Sequence, residues 1–376
     1  MIPRHLTVVG IPGNRRLTLF AAAARAAGLP EPTVLPWRDL LRGDVRPAPG
    51  TLVRVDSPGE DEEVDRLLRG PALGVGYAPT RVEGTAAWYR GVTGALDRLA
   101  AAVRATPGAE LLGDPAEIAA MFDKRATHRI LTAARVPVPA ALDQSAGPLL
   151  GWADLRERLA AAGLRRVFVK PAHASSASGV LALEFGPHGR LQATTSVELT
   201  AGVLHNSLRV RRYRDEREVA AIVDRLAPDG LQVERWIPKA AQHGRAADLR
   251  VVVVAGRATH AVVRTSRSPM TNLHLGGARG DLGAAVAAAG PRWPELLAVC
   301  ERAAACFPHS PMVGVDLLPA TGWQRFHVGE VNAFGDLLPG LTGLPGGPAE
   351  GLDTHQAQVA ALLRRTTTTA PRNDAP

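Results

Sequence analysis

The sequence predicts an α/β protein: an N-terminal open α/β domain, followed by an α+β portion whose strands pair with their neighbours in the chain. Three observations predict this. Up to about residue 106, short apolar runs alternate with amphipathic helical stretches, as in an open sheet with helices on its faces. Beyond residue 165, strand-like segments follow one another through short turns, the pattern of antiparallel pairs. Between the two regimes, the Pro and Gly of "TPGAELLGDP" (106–115) punctuate the chain and place a domain boundary there. A length of 376 residues with 46% hydrophobic content suits two or three domains with real cores.

The elements follow in order. "LTVVGIP" (6–12) reads as a buried strand, "RLTLFAAAARAAGL" (16–29) as a helix ending at Gly28, "TVLPW" (33–37) as a strand and "RDLLRG" as a short helix. "TLVRVDSPG" (51–59) is another strand, and "EDEEVDRLLRG" (60–70) a helix whose first-turn acids suit the helix dipole. The first turn, "GIPGNRR", lacks the G-x-G-x-x-G pattern, so no dinucleotide site is expected there. A long helix covers about 85–106. "PAEIAAMFDKRATHRILTAARVPVPAAL" (115–142) is one helix or two, stopping before Pro137 and Pro139. "RRVFVKPAHASSASGVLALEF" (165–185) reads strand, small-residue loop, strand; "EREVAAIVDRLA" (216–227) a helix; "LQVERWIP" (231–238) a strand. "LRVVVVAG" and "ATHAVVRTS" form a hairpin around a Gly–Arg turn. An Ala-rich helical region runs to about 307, two strands follow at 312–318 and 325–333, and an amphipathic helix covers about 354–365. The tail "TTTTAPRNDAP" reads as disordered.

Bulk properties narrow the function. No 18-residue apolar run is present, so no membrane span is expected, and the N-terminus reads as a first strand rather than a signal peptide. Cys300 and Cys306, inside a helical stretch, fit neither a disulfide framework nor a zinc site. A cytoplasmic location is expected, and nothing marks an oligomer interface. The formal charge of +8 admits nucleic acid or acidic substrates. The basic residues are scattered and few aromatics interleave with them, so no nucleic-acid partner is expected. Of the 44 Lys and Arg, only Lys124, Lys170 and Lys239 are lysines. Where Lys persists in a chain that otherwise uses Arg, the position calls for a compact ammonium rather than a planar fork. That singles out Lys124 and Lys170.

Three segments carry chemistry. In "VKPAHASSASGV" (169–180) a strand ends on Lys170 and enters a loop of Ser175, Ser176, Ser178 and Gly179. Hydroxyls and close backbone N–H groups there suit phosphate oxygens; the alternative is a flexible hairpin loop. It is not a Walker A loop, because the glycine–lysine order is absent and a strand follows. In "VGEVNAFGDLLPGL" (328–341), Glu330 and Asn332 share one strand face. Pairing that strand with "MVGVDLL" around Gly322–Trp323 sets Asp316 opposite Glu330, ~4.8 Å away across the ladder. Two carboxylates and an amide oxygen are hard ligands suited to Mg²⁺. In residues 247–281, Asp248 and Arg250 share a face, Arg264 lies on the partner strand, and "TNLHLGG" offers Asn272 beside Gly276 and Gly277. Two arginines there would neutralise charge on a transferred phosphoryl group.

In this order the motifs resemble the ATP-grasp superfamily, closest to its glutathione synthetase and ribosomal-protein glutamate ligase branch. "FDKRATHRILTAARVPVP" resembles the lead-in to the central domain, "VFVKP…SSASGV" the ATP-clasping strands and phosphate loop, "LQVERWIP" the adenine hinge, and "VGVDLL…GEVNAFG" the magnesium segment. The resemblance covers about residues 110–340. It implies an N-terminal domain over 1–113, a central ATP-grasp subdomain over 114–233 and a C-terminal one over 234–366, the two clasping ATP. It places Lys124 and Lys170 at the phosphates or adenine edge, and Ser175, Ser176, Ser178 and Gly179 over the phosphates. Glu234, Arg235 and Ile237 would form the hinge, with Asp248 near the ribose and Asn272 at the triphosphate. Asp316, Glu330 and Asn332 would hold Mg²⁺, as two ions and with Mn²⁺ as a possible substitute. Arg250 and Arg264 would stabilise the phosphorylated intermediate.

The implied reaction is ATP-dependent joining of a carboxylate to an amine, or to a thiol, through an acyl phosphate. The substrates would be amino acids, peptides or small metabolites. An ATP-grasp kinase and a non-catalytic nucleotide-binding protein are the alternatives. The chain departs from these relatives at Met270–Thr271, where they carry an Arg before the asparagine, and at "AFGDLLPGL", where they turn on Ser/Thr-Pro. Gly276, Gly277, Gly335, Asp336 and, in "RVDSPGED", Arg54 are therefore the candidate substrate positions.

Overall fold

The computed structural model describes residues 5–43, 45–70, 78–145, 147–335 and 340–368. β1 (Leu6–Gly10), α1 (Arg15–Ala26), β2 (Thr33–Pro36), α2 (Trp37–Arg42), β3 (Leu52–Val55), α3 (Glu62–Arg69), α4 (Thr85–Arg104) and β4 (Glu110–Leu112) build the first unit. Its parallel sheet has the order β2-β1-β3-β4. Every residue of β1 is buried, as befits a parallel strand covered on both faces. Val9 and Val53 face Leu96 and Leu99 of α4, while Val8 faces Phe20 and Ala24 of α1. Asn14 and Asp61 cap α1 and α3 by accepting the N–H groups of Arg16 and Val64. β4 falls inside the stretch read as punctuation; three residues between Gly and Pro are too few to show a period.

α5 (Pro115–Phe122) and α6 (Lys124–Ala133) are two helices, because Asp123 between them is extended. Its carboxylate accepts the N–H groups of Arg125 and Ala126, which makes Lys124 the first residue of a capped helix. α7 (Trp152–Ala161), β5 (Arg166–Pro171), β6 (Leu181–Phe185), β7 (Leu191–Thr200), β8 (Val203–Tyr213), α8 (Glu216–Leu226) and β9 (Leu231–Arg235) follow. The strands form an antiparallel sheet in the order β8-β7-β6-β5-β9, with Leu155, Leu159, Ile222 and Val223 of the two helices packed beneath it. β9 spans the expected boundary at 233–234 and pairs with β5 along its whole length.

The last sheet holds β10 (Ala241–Gln242), β11 (Arg245–Val254), β12 (Arg257–Ser266), β13 (Ala278–Arg279), β14 (Met312–Pro319) and β15 (Phe326–Asn332). Its order is β13-β12-β11-β14-β15, with β10 on β11. α9 (Leu282–Ala289) and α10 (Trp293–Ala305) replace the single expected helical region, split by a 3-10 turn at Gly290–Arg292 that Pro291 enforces. Leu296, Val299 and Ala303 of α10 pack under Val251, Val315 and Val331. The expected β14–β15 register is observed: Asp316 pairs with Glu330 and Gly314 with Asn332, and a bulge follows Asp316. α6 lies against both β9 and β15 and so joins the two antiparallel sheets. α11 (Thr354–Thr368) returns to pack on α1 and the parallel sheet. Residues 366–368 of the tail expected to be disordered end α11, and 369–376 lie outside the described residues, as does Asp336.

Candidate active site

The two antiparallel sheets enclose a cleft in two parts, an outer one of about 490 Å³ and an inner one of about 100 Å³. Lys124, Arg264, Asn272 and Glu330 line both parts. All three lysines of the chain line the inner part. Lys170, on β5, places Nζ 2.5 Å from Glu234 Oε2 on the neighbouring β9 and 3.3 Å from the Gly329 carbonyl across the cleft. Lys124 reaches Glu330 Oε1 at 2.9 Å and donates to the Ala174 carbonyl. Lys239 donates to Asp248 Oδ2 at 2.8 Å, Thr271 Oγ1 at 2.9 Å and the Pro269 carbonyl at 3.2 Å. Each ammonium serves acceptors in separate directions, which a planar guanidinium could not do from one atom.

β11, β12 and β14 carry a buried charge network on their cleft face. Asp248 and Arg264 are cross-strand partners, as are Arg250 and Asp316. Arg264 donates Nε to Asp248 at 2.8 Å and Nη2 to Asp316 at 3.1 Å. Arg250 forks onto both Asp316 oxygens, with Nη2 3.1 Å from Oδ2, and reaches the Gly335 carbonyl at 3.5 Å. Burial alone would push the two carboxyls up; Arg264 and Lys239 hold Asp248, and Arg250 and Arg264 hold Asp316, below the usual carboxylate range. Burial likewise opposes the charge on Lys170, but Glu234, aided by Glu330 and Asp316, outweighs it and raises its pKa.

Asp316, Glu330 and Asn332 offer oxygen donors only, which fits Mg²⁺. Asn332 donates Nδ2 to the Gly314 carbonyl at 3.2 Å, which leaves its Oδ1 as the atom for a cation. Among the described residues no three His, Cys, Asp or Glu stand close enough together to hold a metal. A magnesium ion here would therefore draw further oxygens from a bound substrate, and would share Asp316 with its arginines.

Ser175 and Ser176 line the outer part, while Ser178 and Gly179 shape the loop behind them. The Ser178 N–H closes a turn onto the Ser175 carbonyl at 2.9 Å. A Cβ on Gly179, at φ 73°, would lie 2.6 Å from Pro171 Cγ. Ser176 and Ala177 also adopt left-handed φ angles, 55° and 57°, and the Ser176 carbonyl contacts His274 Nε2 at 2.8 Å across the cleft. Glu234, Arg235, Ile237, Asp248 and Asp316 line the inner part; Ser175, Arg250, Asn332 and Gly335 the outer.

Three of the candidate substrate positions are not brought to the cleft. Arg54 is buried at another cavity, because β3 turns its side chain toward Phe20. Gly276 faces open space, and Gly277 instead lets the chain pass the Thr271 and Asn272 carbonyls. The downstream part of "RVDSPGED" does reach the cleft, through Ser57, Gly59 and Glu60, joined by Arg16, which donates to the Phe334 carbonyl at 3.1 Å. Sequence reasoning missed Lys239, Thr271, His274 and Arg16. For Lys239 the signal was present, since the scarcity of lysine marks it as much as the other two. The rest carry no pattern.

No protein-family model matches the chain, and no curated protein matches it. Solved structures do. The chain is similar to the D-cycloserine synthetase DcsG, at 16% identity over 96% of this chain and 99% of that one, with a TM-score of 0.55. It is similar to the ATP-grasp ligase PsnB, solved with a minimal precursor, at 17% identity over 96% and 99%, with a TM-score of 0.52. Against the N5-carboxyaminoimidazole ribonucleotide synthetase purK in its ADP complex, identity is 10% over 90% of this chain and 72% of that one, with a TM-score of 0.51. Over nearly its whole length, therefore, this chain has the fold of the ATP-grasp ligases.

Proposed function

We propose that this protein is an ATP-dependent carboxylate–amine ligase. One observation carries the reading: the chain's three lysines, two buried arginines and the Asp316–Glu330–Asn332 oxygen set all face one cleft. The fold supports it, since the similar structures are ligases and one, purK, holds ADP. In this reading a nucleotide base occupies the inner part between Phe168, Ile237, Met270 and Leu318, with Glu234 and Lys170 at its edge. The phosphates extend outward past Lys124, Asn272, Ser175 and Ser176. Asp316, Glu330 and Asn332 would hold Mg²⁺, which supplies charge neutralisation at the phosphates.

The substrate carboxylate oxygen attacks the γ-phosphorus, the bond to the β-phosphate oxygen breaks, and ADP leaves. Arg250 and Arg264 stand beside the transferred group, held in place beforehand by Asp316 and Asp248, so little reorganisation is needed when charge develops. The neutral amine then attacks the acyl carbon, the acyl C–O bond to phosphate breaks, and the N–H proton lost on forming the amide leaves with the phosphate, which restores both arginines. Catalysis is positioning and charge stabilisation.

The test uses purified protein, Mg·ATP and a panel of carboxylates and amines. Release of ADP with an amide supports the reading; ADP with a phosphorylated hydroxyl compound makes it a kinase; bound ATP that never yields ADP removes the enzyme. Glu330→Gln should lower turnover at least tenfold, and unchanged turnover would reject the metal assignment.

A further inference from the structure

A further cavity, of about 520 Å³, shares no lining residue with the cleft. Much of its wall is apolar, built from Phe20, Leu112, Val253, Phe307, Val313 and Leu362, with His309, Ser310 and Gln358 among the polar remainder. Among the described residues its charged lining groups are Arg54, Arg364 and Arg365, of which Arg365 pairs with Glu110 at 3.3 Å. Arg54 is unlike the other buried arginines. It is only 8% exposed, its guanidinium lies 4.1 Å over the Phe20 ring, and its one anionic neighbour among the described residues, Asp56 Oδ2, stands 3.7 Å away, beyond hydrogen-bond length. Arg54 Nη1 and Asp56 Oδ2 are both buried without a hydrogen-bond partner. Arg264, equally buried, is held by two carboxylates at 2.8 and 3.1 Å. A buried guanidinium whose neighbouring carboxylate stands beyond hydrogen-bond length is costly, and its free N–H calls for a further acceptor.

We propose that this cavity is a second binding site, for a small monocarboxylate with an apolar body whose carboxylate pairs with Arg54. The guanidinium fork matches a carboxylate, and the volume lies within the range of small-molecule sites. A phosphate ester would call for more donors than the one buried fork supplies. The site is not remote from the cleft: Val253 and Val313 are cross-strand partners on the same strand pair that carries Arg250 and Asp316, three residues along.

The experiment titrates octanoate into the full chain by calorimetry, without nucleotide, with 1-octanol as the uncharged match. Saturable one-to-one binding of octanoate is expected, with octanol at least tenfold weaker. Arg54→Gln should weaken octanoate at least tenfold, and Ala361→Trp, which fills the cavity from α11, should abolish it. No saturable binding, equal binding of octanol, undiminished binding to Arg54→Gln, or displacement by Mg·ATP would each overturn the proposal. If Arg54→Gln does not fold, Ala361→Trp decides: octanoate binding retained in that variant overturns the site.

Discussion

Replacing Asp248 by Asn keeps the shape of the side chain and removes its charge. Asp248 is 2% exposed and accepts from Arg264 Nε at 2.8 Å, from Lys239 Nζ at 2.8 Å and from the Thr271 hydroxyl. In the Asn variant, Arg264 keeps only Asp316 at 3.1 Å, and Lys239 keeps a hydroxyl and a carbonyl. Breaking a buried ion pair from one side costs ~3–5 kcal/mol, because the cations stay buried and unpaired. At about 2–4 °C per kcal/mol for a domain of this size, melting should fall by about 6–20 °C. Thermal and urea unfolding measure it. Asp248→Asn/Arg264→Met should cost less than the two single changes added together, since the second change removes the stranded charge. The same residue sets an acid limb. Its folded pKa lies below the unfolded value of about 3.9, so its stabilisation is complete above that pH and is lost as pH falls toward the folded pKa. The Asn variant should show a shallower acid limb. A single-variant cost under about 1 kcal/mol, or strict additivity in the double variant, would refute the account of the network as a buried, coupled unit.

Other expectations follow from the same geometry. Lys170→Met strands Glu234, which is 4% exposed, and should weaken Mg·ATP binding at least tenfold; Lys170→Arg should not restore it, since Nζ sits between Glu234 and the Gly329 carbonyl. Equal affinity in Lys170→Arg, by calorimetry, would contradict the need for an ammonium. His355 is buried with both ring nitrogens unpartnered, and burial with Arg54 nearby lowers its pKa from 6.5 to about 4. The unfolded chain therefore takes up that proton first, and stability should fall between about pH 6.5 and pH 4. His355→Leu should flatten that part of a stability–pH curve; an unchanged curve assigns the loss elsewhere. Gly276→Ala, with φ 80° and open space, should cost about 1 kcal/mol. Gly277→Ala would bring Cβ within 2.6 Å of the Asn272 carbonyl and should cost at least twice as much; equal melting shifts for the two would argue against the close approach.

β1, β2 and β3 of the parallel sheet, the β11–β12 hairpin and the β14–β15 register were legible because apolar runs bounded by Gly and Pro fix their ends, and in the hairpins a short turn fixes which residues oppose. β7 and β8 received no assignment. "LQATTSVELT" and "VLHNSLRVRRY" are polar, and three extra residues of β8 bulge between the pairs Thr195–Arg211 and Val197–Asn206, so no steady alternation survives. The cleft residues on strands were found because side-chain facing has a period of two. Thr271, His274 and Arg16 come from loops or another unit, where facing depends on tertiary packing that spacing does not encode. Arg54 shows the converse error. It lies one strand position before a turn that does reach the cleft, and its side chain faces the other side of the sheet.

The scarcity of lysine has a practical side. Side-chain exposures of 12%, 15% and 9% leave Lys124, Lys170 and Lys239 as the chain's only side-chain amines, each recessed in the cleft and held by a carboxylate. The surface of the folded protein is thus almost inert to acylating reagents and to proteases that cut after lysine. An amine-reactive dye would report on the cleft alone, apart from the chain's α-amine, and a nucleotide seated there should shield the whole set. Lysine-specific digestion would read out opening of this one region, because cutting the chain requires the cleft to come apart first.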